Sequence, residues 1–87
     1  KTIYKYPLKL DDEVELELPI NSEILKLGTQ YGDMVIWVLV DKDPVEYEKR
    51  TFKIYGTGHD IDTVQNLKYI GSSNGSFIWH VFEKILK

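Results

Sequence analysis

Residues 34–40 read MVIWVLV, the longest apolar run of the sequence. A run without polar residues predicts a central strand that is covered on both faces of its sheet. It is far shorter than the ~20 residues with which a helix crosses a bilayer, and the N-terminus carries no apolar stretch of the signal-peptide kind. We therefore expect a soluble, intracellular protein with no membrane partner.

Apolar and polar residues alternate on both sides of this run. Residues 1–10 and 13–18 alternate with period two, and the turn residues Asp11 and Asp12 between them predict a first hairpin. Residues 23–27 are read as a short strand and residues 45–50 as a loop. The expectation on this side of the domain is a meander of short strands.

The C-terminal half continues the alternation. Residues 51–55, 67–70 and 76–83 are read as strands, and Gly71 to Gly75 as a hairpin loop that ends in Asn-Gly. Residues 84–87 have room for one turn of helix. The sequence predicts a single all-β domain over residues 1–87, a small antiparallel barrel or sandwich of about six or seven short strands with little or no helix.

The composition of the chain excludes several classes of function. The chain has 87 residues, no cysteine and a net charge of −3. The missing cysteines exclude disulfides, thiolate metal sites and a cysteine nucleophile, and they suit a reducing cytoplasm. The negative charge opposes binding of long nucleic acids through a general basic surface, although a local site for a small anion stays possible.

No catalytic or metal signature is present. No serine lies in a Gly-x-Ser-x-Gly setting, and the spacing of the two histidines, His59 and His80, fits no common metal pattern. The acidic stretch from Asp11 to Glu17 is read as the solvated face of a strand. We therefore expect a protein that is not an enzyme and that uses no cofactor and no metal.

One loop has the composition of a ligand site. Tyr55-Gly56-Thr57-Gly58-His59 follows a strand and offers backbone N–H groups, a hydroxyl and an imidazole together, which suits a phosphate. The other interpretation is a tight turn that needs positive φ or close backbone approach. Arg50 and Lys53 precede the loop on opposite faces of the same strand, so at most one of them joins it.

The last strand is apolar on both faces. Phe77, Trp79 and Val81 share one side, and Ile78, His80 and Phe82 share the other. Together with residues 34–40 this predicts a covering layer from a second subunit, in a dimer or a tetramer. The alternative is a closed barrel with partly exposed aromatic side chains.

Several motifs resemble a family of small tailed-phage proteins, and the resemblance extends over nearly the whole chain. The motifs are KTIYKYP at residues 1–7, RTFKIYGTGH at 50–59, YIG at 69–71 and WHVFE at 79–83. The chain departs from the family pattern at residues 45–49 and in the tail 84–87. In size and phage origin it is similar to the anti-CBASS sponges, small oligomeric proteins that sequester cyclic oligonucleotide immune signals without cleaving them.

This resemblance implies a phage-encoded, non-catalytic protein that sequesters a small anionic nucleotide in the cytoplasm of the infected host. Tyr55, Thr57 and His59 would meet phosphate or ribose. Trp79 or Tyr4 would stack on a base, and Arg50 or Lys53 would neutralise charge. The full set of expected ligand-binding residues is Tyr4, Arg50, Lys53, Tyr55, Gly56, Thr57, Gly58, His59 and Trp79.

The alternative is a protein-binding accessory factor or inhibitor. Such a protein would contact a host protein through an apolar sheet face and through the acidic strand from Glu13 to Glu17.

Overall fold

The computed structural model describes residues 1–62 and 64–85, and these residues form strands and loops without a helix. The seven strands are β1 (Thr2–Leu8), β2 (Glu13–Pro19), β3 (Glu23–Gln30), β4 (Asp33–Val40), β5 (Tyr47–Gly56), β6 (Leu67–Ser72) and β7 (Trp79–Lys84). The all-β prediction and the predicted number of strands are confirmed.

The strands form two antiparallel sheets that pack face to face. The three-stranded sheet has the order β1-β4-β3, and the four-stranded sheet has the order β2-β5-β7-β6. The structure is thus a sandwich rather than a closed barrel. At one margin β3 packs on β6, where Leu27 Cβ would lie 3.4 Å from a Cβ placed on Gly71.

The predicted hairpin between β1 and β2 is wrong. β1 pairs with β4, whereas β2 pairs with β5 in the other sheet. Residues 9–12 therefore carry the chain from one sheet to the other. Both strands present their apolar sides to the shared core from opposite sheets, which alternation alone does not distinguish from a hairpin.

Among the described residues, two pairs of consecutive strands form hairpins, β3–β4 and β6–β7. The β3–β4 turn consists of Tyr31 and Gly32, which have φ of 53° and 84°. Positive φ at both central residues matches the right-handed twist of the flanking strands. The predicted β6–β7 hairpin is confirmed, but its loop covers residues 73–78 because β6 continues to Ser72 and β7 begins at Trp79.

Two other boundaries differ from the prediction. Residues 47–50, expected as loop, are the first part of β5, because they pair with β2. At the C-terminus Lys84 still belongs to β7 and Ile85 follows it without helix. The remaining positions of the predicted helical turn, 86 and 87, lie outside the described residues.

The core lies between the sheets. Its fully buried side chains come from both layers and are Leu18, Ile36, Val38, Val40, Phe52 and Val81. Burial of an aliphatic or phenylalanine side chain contributes about 1.5–3 kcal/mol, so these residues dominate the stability. The core therefore draws on β2, β4, β5 and β7.

The apolar strand β4 is central in its sheet, as predicted, and its outer face is partly covered by the same chain. Val35 is only 5% exposed, and Trp37 and Leu39 are half-buried. The Trp37 ring lies on Gly28, and the Lys26 ammonium group is 5.8 Å from the ring centroid. Residues of β3 thus cover part of the outer face of β4, which we had expected a second subunit to cover.

Candidate functional site

Four rings lie on the solvent side of the four-stranded sheet, which we call the aromatic face. They are Tyr55, Tyr69, His80 and Phe82. Phe82 is the centre of this group, with ring centroids 5.9 Å from Tyr55 and 5.1 Å from Tyr69. Tyr69 is 51% exposed and the other three rings are half-buried, so the face is accessible to a ligand.

Two hydroxyl groups hold the ring of His80. Its Nε2 is 2.9 Å from Thr57 Oγ1 and its Nδ1 is 3.1 Å from the Tyr69 hydroxyl oxygen. Thr57 Oγ1 also donates to the Ile78 carbonyl oxygen at 3.3 Å. We therefore assign the Nε2–H as donor to Thr57 and Nδ1 as acceptor of the Tyr69 O–H.

Lysine side chains flank this face. Lys53 lies opposite Phe82 in the β5–β7 register, and its ammonium group is 3.4 Å from Glu13 Oε1. Alternation along β7 places Lys84 on the same face as His80 and Phe82. The rings are therefore bordered by cations on two strands.

The glycine loop is a tight turn in which the N–H groups of Gly56, Thr57 and His59 bond within the protein. The Gly56 N–H donates to His59 Nδ1 at 3.1 Å, the Thr57 N–H to Ile78 O at 3.2 Å and the His59 N–H to Gly56 O at 3.0 Å. Gly58 has φ of 91°, which L side chains rarely adopt. Of the two interpretations left open by the sequence, the geometry favours the turn over the backbone phosphate cradle.

Gly56 serves a different purpose from Gly58. A Cβ at Gly56 would lie 2.6 Å from Phe77 Cε2 and 2.9 Å from His59 Cε1. The missing side chain lets these rings pack on the backbone. Trp79 completes the group, with its ring centroid 4.7 Å from Phe77 and 6.1 Å from His59.

Phe77 and Trp79 border an open cleft at one end of the sandwich, which we call the end cleft. Its volume is about 660 Å³, and residues of β1, of the β3–β4 turn and of the β6–β7 loop line it. A smaller cavity of about 260 Å³ shares Leu10 and Trp79 with it and is also lined by Asp11, Asp12 and His59. The glycine loop thus contacts the aromatic face through Thr57 and lines the smaller cavity, next to the end cleft, through His59.

The structure divides the predicted ligand-binding residues into two spatial groups, and two further residues belong to neither group. Lys53, Tyr55 and Thr57 belong to the aromatic face, and Gly56, Gly58, His59 and Trp79 to the turn and the end cleft. The outliers are Arg50 and Tyr4. As expected, Arg50 and Lys53 project from opposite faces of β5.

Arg50 has structural partners on the inner side of the four-stranded sheet. Its guanidinium bonds to both carboxylate oxygens of Glu83, with Nη2 3.0 Å from Oε1, and its Nη1 donates to Ser22 O at 2.8 Å. The hydrogen bond with Glu83 raises the pKa of Arg50 above its ordinary value, although burial acts against it. The Arg50 guanidinium therefore lies at the margin of the core, bound to Glu83 and Ser22, and does not contribute to the glycine loop.

Tyr4 lies in the other sheet. It is opposite Val38 on the edge strand β1. Tyr4 thus belongs to a different sheet from Gly56, which ends β5. Of the two residues predicted to stack on a base, only Trp79 lies near the loop.

The sequence reasoning missed Tyr69, Phe77, His80 and Phe82 as site residues. A signal existed, because His80 and Phe82 occupy alternate positions of the WHVFE motif and so share one face. Tyr69 belongs to the YIG motif, but its place beside Phe82 depends on the β6–β7 register. Alternation alone does not reveal that register.

Within residues 1–62 and 64–85 no group of three or more histidine or acidic side chains is arranged to hold a metal ion. Over the same residues no helix has the length and apolarity needed to span a membrane.

Comparison with known proteins identifies a family. No curated protein and no solved structure matches the chain. A family model described as a domain of unknown function, DUF7352, matches residues 1–87. The chain therefore belongs to the DUF7352 family.

Proposed function

We propose that the protein binds a small anionic nucleotide on the aromatic face and holds it without chemical change. The observation that carries this proposal is the group of four rings on the solvent side of one sheet. Flat aromatic side chains stack on nucleobases at low entropic cost, and each stacked base is worth about 1–3 kcal/mol. Tyr69 is the most exposed of the four rings, and its centroid is 5.1 Å from that of Phe82.

The polar groups around the rings suit the rest of a nucleotide. Lys53 and Lys84 share the face of the rings and would meet phosphate, Lys53 by exchanging its partner Glu13. The hydroxyl oxygens of Thr57 and Tyr69 can accept hydrogen bonds from ribose or the base edge. Because the net charge of the chain is −3, this local pair of lysines favours a ligand with few charges over a long nucleic acid.

The resemblance to tailed-phage proteins supplies the proposed role. A phage protein that binds a cyclic oligonucleotide in the host cytoplasm lowers the free concentration of that immune signal, and binding alone is sufficient for this effect. We accordingly propose a non-catalytic, anti-CBASS-like sponge.

Thermal shift and calorimetry with cyclic dinucleotides, cyclic trinucleotides and mononucleotides test the proposal. We expect at least one cyclic nucleotide to stabilise the protein and to be recovered unchanged. Tyr69→Ala should weaken that binding by about tenfold, as loss of one stacking partner predicts. The absence of a shift with every nucleotide, on well-folded protein, would refute it.

Tyr4→Ala is the matched control. Tyr4 is 49% exposed and Tyr69 51%, and both lie on strands, but only Tyr69 belongs to the aromatic face. We expect Tyr4→Ala to keep wild-type affinity. Equal losses in the two variants would contradict the assignment of the aromatic face.

The alternative, a protein-binding accessory factor, depends on the acidic strand β2. Two of its glutamates have lysine partners, since Lys53 is 3.4 Å from Glu13 and Lys49 is 3.8 Å from Glu15. Because these lysines neutralise part of its negative charge, β2 is less suited to dock a basic partner. Reversal of Glu13, Glu15 and Glu17 to lysine separates the two functions, because loss of biological activity with intact nucleotide binding would support the alternative.

A further inference from the structure

We propose that the end cleft is a second binding site, which takes small molecules with an apolar body and a positively charged amine. This proposal is independent of the nucleotide site, since it concerns a different surface and a ligand of opposite charge. It rests on the shape of the cleft, on its fixed aromatic wall and on the charges around it.

The cleft has a buried apolar floor and exposed apolar walls. Leu8 and Met34, at 3% and 7% exposure, form the floor. Leu10 and Phe77 also line the cleft and remain 56% and 46% exposed. A volume of about 660 Å³ lies within the range of small-molecule sites, and a ligand there would cover the apolar surface that the fold leaves open.

The aromatic wall of the cleft is held in place by its neighbours. Phe77 packs against Trp79 and His59 and fills the space over Gly56. The base of its loop is closed by the Ser73 N–H, which donates to Trp79 O at 2.9 Å, and by the Trp79 N–H, which donates to Ser73 Oγ at 3.0 Å. The wall is therefore preformed, which lowers the ordering cost of binding.

The charges select the ligand class. Within the end cleft Asp33 and Lys9 balance each other, and two further carboxylates, Asp11 and Asp12, line the adjoining cavity. This excess of carboxylates disfavours an anion. The ring faces of Trp79 and Phe77 add a favourable cation–π contribution for an ammonium group.

Three probes with a shared phenyl body test the charge preference. They are 2-phenylethylamine, 2-phenylethanol and 3-phenylpropionate, titrated into the full chain with the two indole N–H resonances followed by NMR. We expect saturable shifts of Trp79 in the affinity order amine, alcohol, carboxylate. Trp37, on the outer face of the other sheet, is the internal control and should not shift.

Two variants keep the test decisive. Leu10→Ser removes an exposed wall residue and should weaken the amine by about tenfold, whereas Leu25→Ser, at 44% exposure outside the cleft, should not. The double change Asp11→Asn and Asp12→Asn should lower the affinity for the amine towards that for the alcohol. Equal binding of the three probes, or shifts of Trp37 as large as those of Trp79, would overturn the proposal.

Discussion

The two glycines of the Gly-Thr-Gly loop are required for different physical reasons. Gly58 takes a positive φ of 91°, and Gly56 lies where a side chain would collide with Phe77 and His59. The two histidines near this loop are equally distinct. His59 accepts a backbone N–H, whereas His80 lies between two hydroxyls on the opposite surface. Residue type alone predicts neither role.

Tyr6 leads to a prediction on alkaline stability. Burial, followed by the nearby Tyr47 and Tyr4, raises the pKa of Tyr6. A raised pKa in the folded state means that stability is fully present below the unfolded value near 10 and is lost as the pH rises through the folded value. Tyr6→Phe should therefore lose less unfolding free energy than wild type between about pH 8 and about pH 11.

Urea unfolding at the two pH values measures this difference. Tyr31→Phe is the control, because Tyr31 is 95% exposed and its removal should leave the wild-type pH dependence. Parallel losses in wild type and Tyr6→Phe would contradict the prediction.

At the scale of the strands, alternation predicted all seven strands, although it missed residues 47–50 of β5 and did not choose the core side of β7. The apolar residues Val14, Leu16 and Leu18 do line one side of β2, and β4 is central. The partners of β1 and β2 were not predictable, because the same pattern suits a hairpin and a crossing between sheets. For the same reason, the sequence did not reveal that Tyr69 lies beside Phe82.

The inner faces of β5 and β7 carry an ion pair whose loss should be costly. The side chains of Arg50 and Glu83 are 17% and 6% exposed. Arg50→Met leaves the Glu83 carboxylate without this partner and should cost about 3 kcal/mol of unfolding free energy, as measured by urea denaturation. The further change Glu83→Leu removes the orphaned charge and should recover much of that loss.

The control is an exposed pair on the same sheet. Lys49 and Glu15 are 60% and 54% exposed, so Lys49→Met should cost less than about 0.5 kcal/mol. A similar small loss in Arg50→Met would show that water replaces the buried partner.

At the scale of the whole molecule, the two sheets differ in their outer surfaces. The four-stranded sheet presents aromatic rings beside lysines, whereas the three-stranded sheet presents Ile3, Trp37 and Leu39 beside Lys5 and Lys26. On the second surface Ile3 is 54% exposed and Trp37 and Leu39 are half-buried, although side chains of the same sheet cover Val35. This second surface is the face that we expect a symmetry-related copy to cover.

We accordingly expect a dimer or a tetramer in solution. Size-exclusion chromatography with light scattering at micromolar concentration should give a mass at least twice the 10.2 kDa of one chain. Ile3 is 54% exposed on the outer surface, so Ile3→Glu should shift the protein towards the monomer without unfolding it. A wild-type monomer at that concentration would refute the expectation.

The interleaved strand pairing has a consequence for the order of folding. Thr2 pairs with Val40, and Glu13 pairs with Lys53, so the first two strands must wait for partners made much later in the chain. The β3–β4 hairpin, closed by a two-residue turn, needs no such delay and supplies the template on which β1 docks. Long loop closures slow folding, so we expect this small domain to fold in milliseconds to seconds. We expect the turn at Tyr31 and Gly32 to form first.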